Sequence, residues 1–267
     1  MTKIYAIANQ KGGVGKTTSV INLSGFLAQR GLRTLLVDAD PQANATSGLG
    51  VNKYELRRSI YDLLLEEADP ASLVRRQPEF GLDLLPATPN LAGAEVELVN
   101  AIGREYRLQK GLEALNGRYD YILIDCPPSL GLLTVNALTA ARDGLLIPVQ
   151  CEYLALEGLT QLTQTVELVQ KYLNPRLTIR GVLMTMYDGR TNLSRQVVEE
   201  VRVHFREKVF RTIIPRNVRL SEAPSYGQPI HVYAPTSPGA IAYQLLTAEL
   251  LRGDGVAETR PRKVSNE

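Results

Sequence analysis

Nine residues near the N-terminus, Gln10-Lys11-Gly12-Gly13-Val14-Gly15-Lys16-Thr17-Thr18, carry a chemistry that can be read from their types and spacing. Polyphosphates need many donors that converge without side-chain obstruction. Glycines let backbone N–H groups wrap the phosphates, and a helix that starts just after them aims its positive end at the charge. Gly12, Gly13 and Gly15 supply such a loop, with Val14 and Thr18 in its wall. Lys16 is placed to reach β- and γ-phosphates, and the Thr17 hydroxyl to reach Mg²⁺. The stretch departs from G-x-x-x-x-G-K-[ST] at one point. Gln10 replaces the first glycine, and a second lysine, Lys11, stands at the head of the loop.

Two acidic strand ends extend the same chemistry. Tyr121 to Ile124 is an apolar run that ends in Asp125, and Thr34 to Val37 ends in Asp38-Ala39-Asp40-Pro41. A carboxylate at such a place can hold Mg²⁺ through its water, and one near a γ-phosphate can orient the attacking water. Ligands of open α/β sheets bind at the carboxyl ends of the strands. Thr17, Asp40 and Asp125 are therefore the candidate metal set.

These groups need elements to carry them. Ile4 to Ala8 reads as a buried parallel strand, Thr17 to Gln29 as a helix stopped by Gly31, and Thr34 to Val37 as the next strand. Strand, loop, helix, strand is the unit that builds parallel sheets. Further strands are expected at Leu82–Leu85, Tyr121–Ile124, Leu145–Val149 and Ile179–Met184. Helices are expected at Leu108–Leu115, Leu156–Tyr172, Asn192–Phe205 and Gly239–Leu251. In the third of these, Leu193, Val197, Val201 and Phe205 share one face and Asn192 is the expected cap. The segment from Ile213 to Ile230 is rich in turn formers and reads as an ordered surface loop. The fold class is α/β: a doubly wound, mostly parallel sheet with flanking helices. Residues 1–251 form one domain, and 252–267 are expected to be a disordered polar tail.

Composition narrows the partners. The formal net charge of the 267 residues is +2, so only a local patch could favour nucleic acid. Between Asp188 and Arg219 such a patch exists: Arg190, Arg195, Arg202, Arg206, Lys208, Arg211, Arg216 and Arg219 face Asp188, Glu199, Glu200 and Glu207. No helix-turn-helix or zinc-finger pattern accompanies it, so phosphate contact rather than base reading is expected. Cys126 and Cys151 have neither C-x-x-C spacing nor a nearby His, and read as buried thiols of a reducing compartment. No run approaches the roughly 18 apolar residues of a membrane span, and no secretory signal opens the chain. A cytoplasmic, soluble protein is expected.

KGGVGKTT, LLVDADPQANAT and YDYILIDCPPS, in that order, resemble the ParA/Soj/MinD group of deviant Walker-type ATPases. The likeness runs over nearly the whole chain. VFRTIIPRNVRLSEAPSYGQPI looks most like the chromosomal ParA (Soj) branch. The resemblance implies a P-loop NTPase-like fold, ATP and Mg²⁺ as cofactors, and an ATPase that is weak alone. It implies that Lys11 reaches across a homodimer interface to the partner's phosphates, with Gly12 close to that interface. Lys11, Lys16 and Asp40 then match catalytic positions, Asp40 as the residue that orients water. Pro215 and Asn217 match a loop that approaches adenine, and Arg190 and Arg219 match positions that bind double-stranded DNA without sequence preference. The implied function is partition of chromosomal or plasmid DNA, with a ParB-type stimulator and a nucleoid-associated location. Three alternatives share the scaffold. A MinD-like membrane binder needs an amphipathic basic C-terminal helix, which is not seen here. A cluster carrier needs exposed cysteines. A metabolic ligase would make turnover depend on a small molecule.

Overall fold

The computed structural model describes residues 1–152 and 157–256. Its centre is a seven-stranded sheet in the order β3-β4-β2-β5-β1-β6-β7. The strands are Lys3–Ile7 (β1), Thr34–Asp38 (β2), Arg75–Gln77 (β3), Leu82–Leu85 (β4), Tyr121–Asp125 (β5), Gly144–Gln150 (β6) and Ile179–Thr185 (β7). Only the β3–β4 pairing is antiparallel. Helices Lys16–Gln29 (α1), Asn44–Gly48 (α2), Ile60–Glu66 (α3), Pro70–Leu73 (α4), Leu91–Glu97 (α5) and Arg107–Glu113 (α6) lie in the first half. Leu132–Ala140 (α7), Glu157–Tyr172 (α8), Asn192–Phe205 (α9), Val218–Glu222 (α10), Ile230–Tyr233 (α11) and Pro238–Gly253 (α12) complete the described set.

The apolar strands are buried on both faces, which is why they read as continuous hydrophobic runs rather than alternating ones. Alternate residues feed two cores. Ile4, Ala6, Ile122, Ile124, Leu145 and Ile147 pack with residues of α3, α5, α6, α7, α8 and α9. Tyr5, Ile7, Leu36, Tyr121, Leu123 and Leu146 pack with α1, α2, α10, α11 and α12. The doubly wound class expected from the sequence is what the chain forms. Among the described residues, no helix is long and apolar enough to cross a membrane.

Several local expectations are corrected. Thr191, not Asn192, caps α9; its side chain accepts from the Ser194 N–H. Leu193 is 42% exposed and off the buried face, which is formed by Ser194, Val197, Val198, Val201 and Phe205. The expected surface loop holds α10 and a 3₁₀ turn at Ala223–Tyr226 and runs into the start of α11 at Ile230, with Asn217 capping α10. Arg219 is therefore helical rather than in a loop. Leu156 and residues 257–267 fall outside the described residues.

The boundary after residue 251 is also moved. α12 continues to Gly253, and the Asp254 side chain is 2% exposed. Its carboxylate accepts from Tyr5 Oη at 2.7 Å, Tyr121 Oη at 2.8 Å and Arg180 Nη2 at 3.1 Å. The phenols of Tyr5 and Tyr121 are pushed far up in pKa by burial and by this carboxylate, so both stay donors. The network joins β1, β5 and β7 to the end of α12 at the amino ends of the strands.

Candidate nucleotide site

The opposite ends of the strands carry the expected chemistry. β1 runs into the loop of residues 8–15, and α1 begins at Lys16. Gly13 and Gly15 have φ of +74° and +89°, which L side chains rarely adopt. A Cβ placed on Gly12 or Gly13 would meet nothing within 4 Å, so this side of the loop borders open space rather than packed protein. This is a cradle ready for a ligand. Thr17 and Thr18 are half-buried at the start of α1, whose first N–H groups need acceptors.

Lys16 is 6% exposed, and its Nζ donates to the Lys11 carbonyl at 3.1 Å. Burial lowers its pKa, while the charges of Asp125 and Asp40 work the other way. An ammonium held this dry is worth more to an incoming phosphate than one in water. Lys11 is half-buried, and among the described residues its ammonium has no ion-pair partner.

β2 and β5 are in register so that Asp38 lies beside Asp125. Both are fully buried. Asp38 is satisfied: its Oδ2 accepts from Thr46 N and Oγ1, each at 2.7 Å, and its Oδ1 from Asp40 N at 3.2 Å. Burial still pushes its pKa up to about 6. Asp125 differs. Among the described residues neither of its carboxylate oxygens has a hydrogen-bond partner. Burial raises its pKa well above the usual range, and the neighbouring Asp38 charge adds to the rise. Thr17 and Lys16 act against it, without supplying a hydrogen bond of normal geometry. An orphaned buried carboxylate is costly unless a cation or donor completes it. Asp40 is 6% exposed and accepts the Gln42 N–H at 2.9 Å.

Among the described residues, no three His, Cys, Asp or Glu side chains converge closely enough to hold a metal by themselves. That suits a small hard cation that takes one or two protein oxygens and shares the rest with phosphates and water. Thr17, Asp40 and Asp125 fit such a group, because both Asp125 oxygens are buried and unpartnered and Thr17 and Asp40 are near enough to shift its pKa.

Beyond Gly15 and Thr18 a cleft of about 480 Å³ opens toward Met186, Pro215, Asn217, Val218 and Tyr243. Pro215 and Asn217 thus line the same space as the loop. Arg190 and Arg219 lie on adjoining segments, since Tyr187 bridges Pro215 and its carbonyl accepts Arg216 N at 2.9 Å. Both arginines are exposed and paired locally, Arg190 with Asp188 at 2.7 Å and Arg219 with Glu222 at 2.9 Å. Cys126 and Cys151 are buried free thiols; burial pushes Cys126 up steeply and Cys151 to about 12.

Three supporting residues escape a motif-based reading. Thr46 satisfies Asp38. Thr185 Oγ1 donates to the Val14 carbonyl at 2.9 Å. Asn9, 4% exposed, bonds on both sides of its amide. Asn9 and Thr185 are each a single small polar residue at the end of an apolar run, and Thr46 closes the LLVDADPQANAT stretch without a role of its own to read there.

The fold and site define a P-loop α/β nucleotide-binding protein with a deviant second lysine. Comparison with known proteins agrees. A family model described as an AAA domain matches residues 2–179. The sporulation initiation inhibitor protein Soj of Bacillus subtilis is 60% identical over 94% of this chain and 98% of its own. The chromosome partitioning protein ParA of Myxococcus xanthus is 54% identical over 97% of this chain and 92% of its own. The chain belongs to this Soj/ParA family of chromosome-partitioning ATPases, within the AAA-domain family. Among solved structures, a Mycobacterium smegmatis protein titled cobyrinic acid a,c-diamide synthase, with bound ADP and magnesium, superposes with a TM-score of 0.85 at 40% identity, over 99% of this chain and 100% of that one.

Proposed function

We propose that this chain is a DNA-partition ATPase whose ATP-bound form is a face-to-face homodimer that holds duplex DNA without sequence preference. Hydrolysis, speeded by a ParB-type centromere-binding partner, dissolves the dimer and releases the DNA. One observation carries the reading. At one sheet end, a glycine cradle and an orphaned Asp125 stand beside two lysines, and only Lys16 is turned inward.

Each residue then has a task. Gly12, Gly13, Val14, Gly15, Thr17 and Thr18 wrap the phosphates with N–H groups, and Lys16 exchanges the Lys11 carbonyl for phosphate oxygens. Magnesium, when bound, neutralises phosphate charge, and Thr17, Asp40 and Asp125 are the residues that would hold it. Asp40 turns a water toward the γ-phosphate. Pro215 and Asn217 border the adenine. Lys11 is free to serve the facing subunit, where two nucleotide charges would otherwise repel each other.

Arg190 and Arg219 supply phosphate contacts, exchanging Asp188 and Glu222 for DNA. A dimer doubles those contacts, so affinity and its salt dependence rise together. The place of action is the nucleoid. The test is duplex binding by the wild type and by Arg219→Glu, with ATP, with ADP and without nucleotide, over a salt series. The expected result is ATP-dependent, salt-sensitive binding that falls at least about tenfold in the variant. Equal binding in all nucleotide states, or none, would sink the proposal.

A second reading takes support from the amide-ligase title of the Mycobacterium smegmatis neighbour. It makes a small carboxylic acid the trigger of turnover. Stimulation by such an acid, with no response to DNA and partner protein, would favour it.

A further inference from the structure

The pairing of β1 with β6 ends abruptly. Ala8 N donates to the Leu146 carbonyl at 3.2 Å. In a parallel ladder the next rung would take the main-chain N–H two residues on, from Gln10, to the carbonyl of Pro148. That rung is made by a side chain instead. Asn9 Nδ2 donates to the Pro148 carbonyl at 2.7 Å. The same amide's Oδ1 accepts from the Lys11 N–H at 3.0 Å, a turn two residues long. Asn9 is 4% exposed; its bond to Pro148 is buried and its bond to Lys11 partly so.

The consequence is mechanical. By standing in for the rung, Asn9 frees the main chain of Gln10 and Lys11 to leave the sheet, and also fixes where it leaves. Among the described residues the other side-chain hold on the head of the loop is Lys16 Nζ, which donates to the Lys11 carbonyl at 3.1 Å and is the bond a phosphate would take over. Gly12 and Gly13 are exposed and unpacked. The other anchor, Thr185 on the Val14 carbonyl, grips the far side of the loop. Among the described residues Lys11 has no ion pair to steer its side chain, so its ammonium inherits its aim from its backbone.

We propose that Asn9 is a positioning residue for Lys11, setting the direction in which that lysine leaves its own subunit. This rests on the reading that Lys11 serves a facing subunit. It places no contact between Asn9 and the nucleotide.

The test is a double-mutant cycle on the full chain with MgATP and duplex DNA, reading kcat and KM for ATP together with dimer formation by light scattering. Asn9→Ala is expected to lower kcat about tenfold, as a misplacement of about 1 Å can, with a smaller change in KM. In a Lys11→Ala background the same substitution should change kcat by less than about twofold, because there is no ammonium left to aim. Asn9→Ser keeps the turn to Lys11 N but cannot reach Pro148; it is expected to lie between wild type and Asn9→Ala, and it keeps the test alive if Asn9→Ala does not fold. Losses that multiply fully in the double variant, or a change in KM alone, would overturn the role of Asn9 while leaving Lys11 in place. A Lys11→Ala variant with unchanged turnover and dimerisation would remove the reading beneath it, and the positioning role with it.

Discussion

The two ends of the central sheet handle buried charge in opposite ways. At the amino ends of the strands every buried or half-buried charge has an answer. Asp254 has Tyr5, Tyr121 and Arg180, Asp143 has Lys3 Nζ at 3.0 Å and Ile4 N at 2.9 Å, and Asp120 has Arg33. At the carboxyl ends Asp38 is answered in the same way, by Thr46 and the Asp40 N–H; among the described residues Asp125 beside it has no hydrogen-bond partner, and Lys16 rests on one carbonyl. Satisfied charge makes a fixed structure. Unsatisfied charge is a binding site held open, because whatever completes it gains what the fold leaves unmade. The difference locates function at one end and stability at the other.

Substitutions can break that division. The largest effect is expected for Lys16→Ala: ATP turnover should fall by about three orders of magnitude, in the range set by losing a preorganised phosphate donor, with the thermal midpoint little changed. A large loss of stability would show that Lys16 belongs to the fold. The reverse pattern is expected for Asp254→Asn. It leaves Arg180 without its counter-charge, costs about 2–3 kcal/mol in denaturant unfolding, and leaves nucleotide affinity intact once folded. Unchanged stability would remove the contrast.

The smallest effect carries the sharpest sign. Asp125→Asn should stabilise the ligand-free chain by about 1 kcal/mol at pH 8 while abolishing magnesium-dependent ATP binding. The sign follows from the raised carboxylates. A group whose folded pKa lies above its unfolded value favours folding fully only below the unfolded value. That contribution is lost as pH rises through the folded pKa. For Asp38 the interval runs from the ordinary carboxyl value of 3.8 to about 6, and for Asp125 it extends higher. The midpoint of the ligand-free wild type should therefore fall as pH rises across this range, and less so in Asp125→Asn. A gain that does not grow with pH would refute the assignment.

The nucleotide end was largely legible in the sequence because its parts are local. Loop, Lys16 and helix start are contiguous, and Asp38 and Asp125 close apolar runs that can only be buried strands. The far end was not. Asp254 sits among polar residues that read as a tail, and its partners are 249, 133 and 74 residues away. No periodicity reports contacts of that range. β3, Arg75–Gln77, lacks any apolar residue and pairs only at the edge, so no strand signal marks it. The segment from Ile213 to Ile230 was misread because Pro, Gly, Asn and Ser punctuate short helices as readily as loops. Asn217 there is a cap, lining the cleft at the same time.

The Asp254 network also orders events in time. Tyr5 lies on β1, while Asp254 follows all seven strands and the twelve helices traced here. Until it emerges, two phenols and a guanidinium stay exposed to other partners at the amino ends of the strands. Closing a contact 249 residues long carries the slow, late cost of a distant chain closure. A nascent chain interrupted before residue 254 would lack the carboxylate that fastens β1, β5 and β7 to the end of α12.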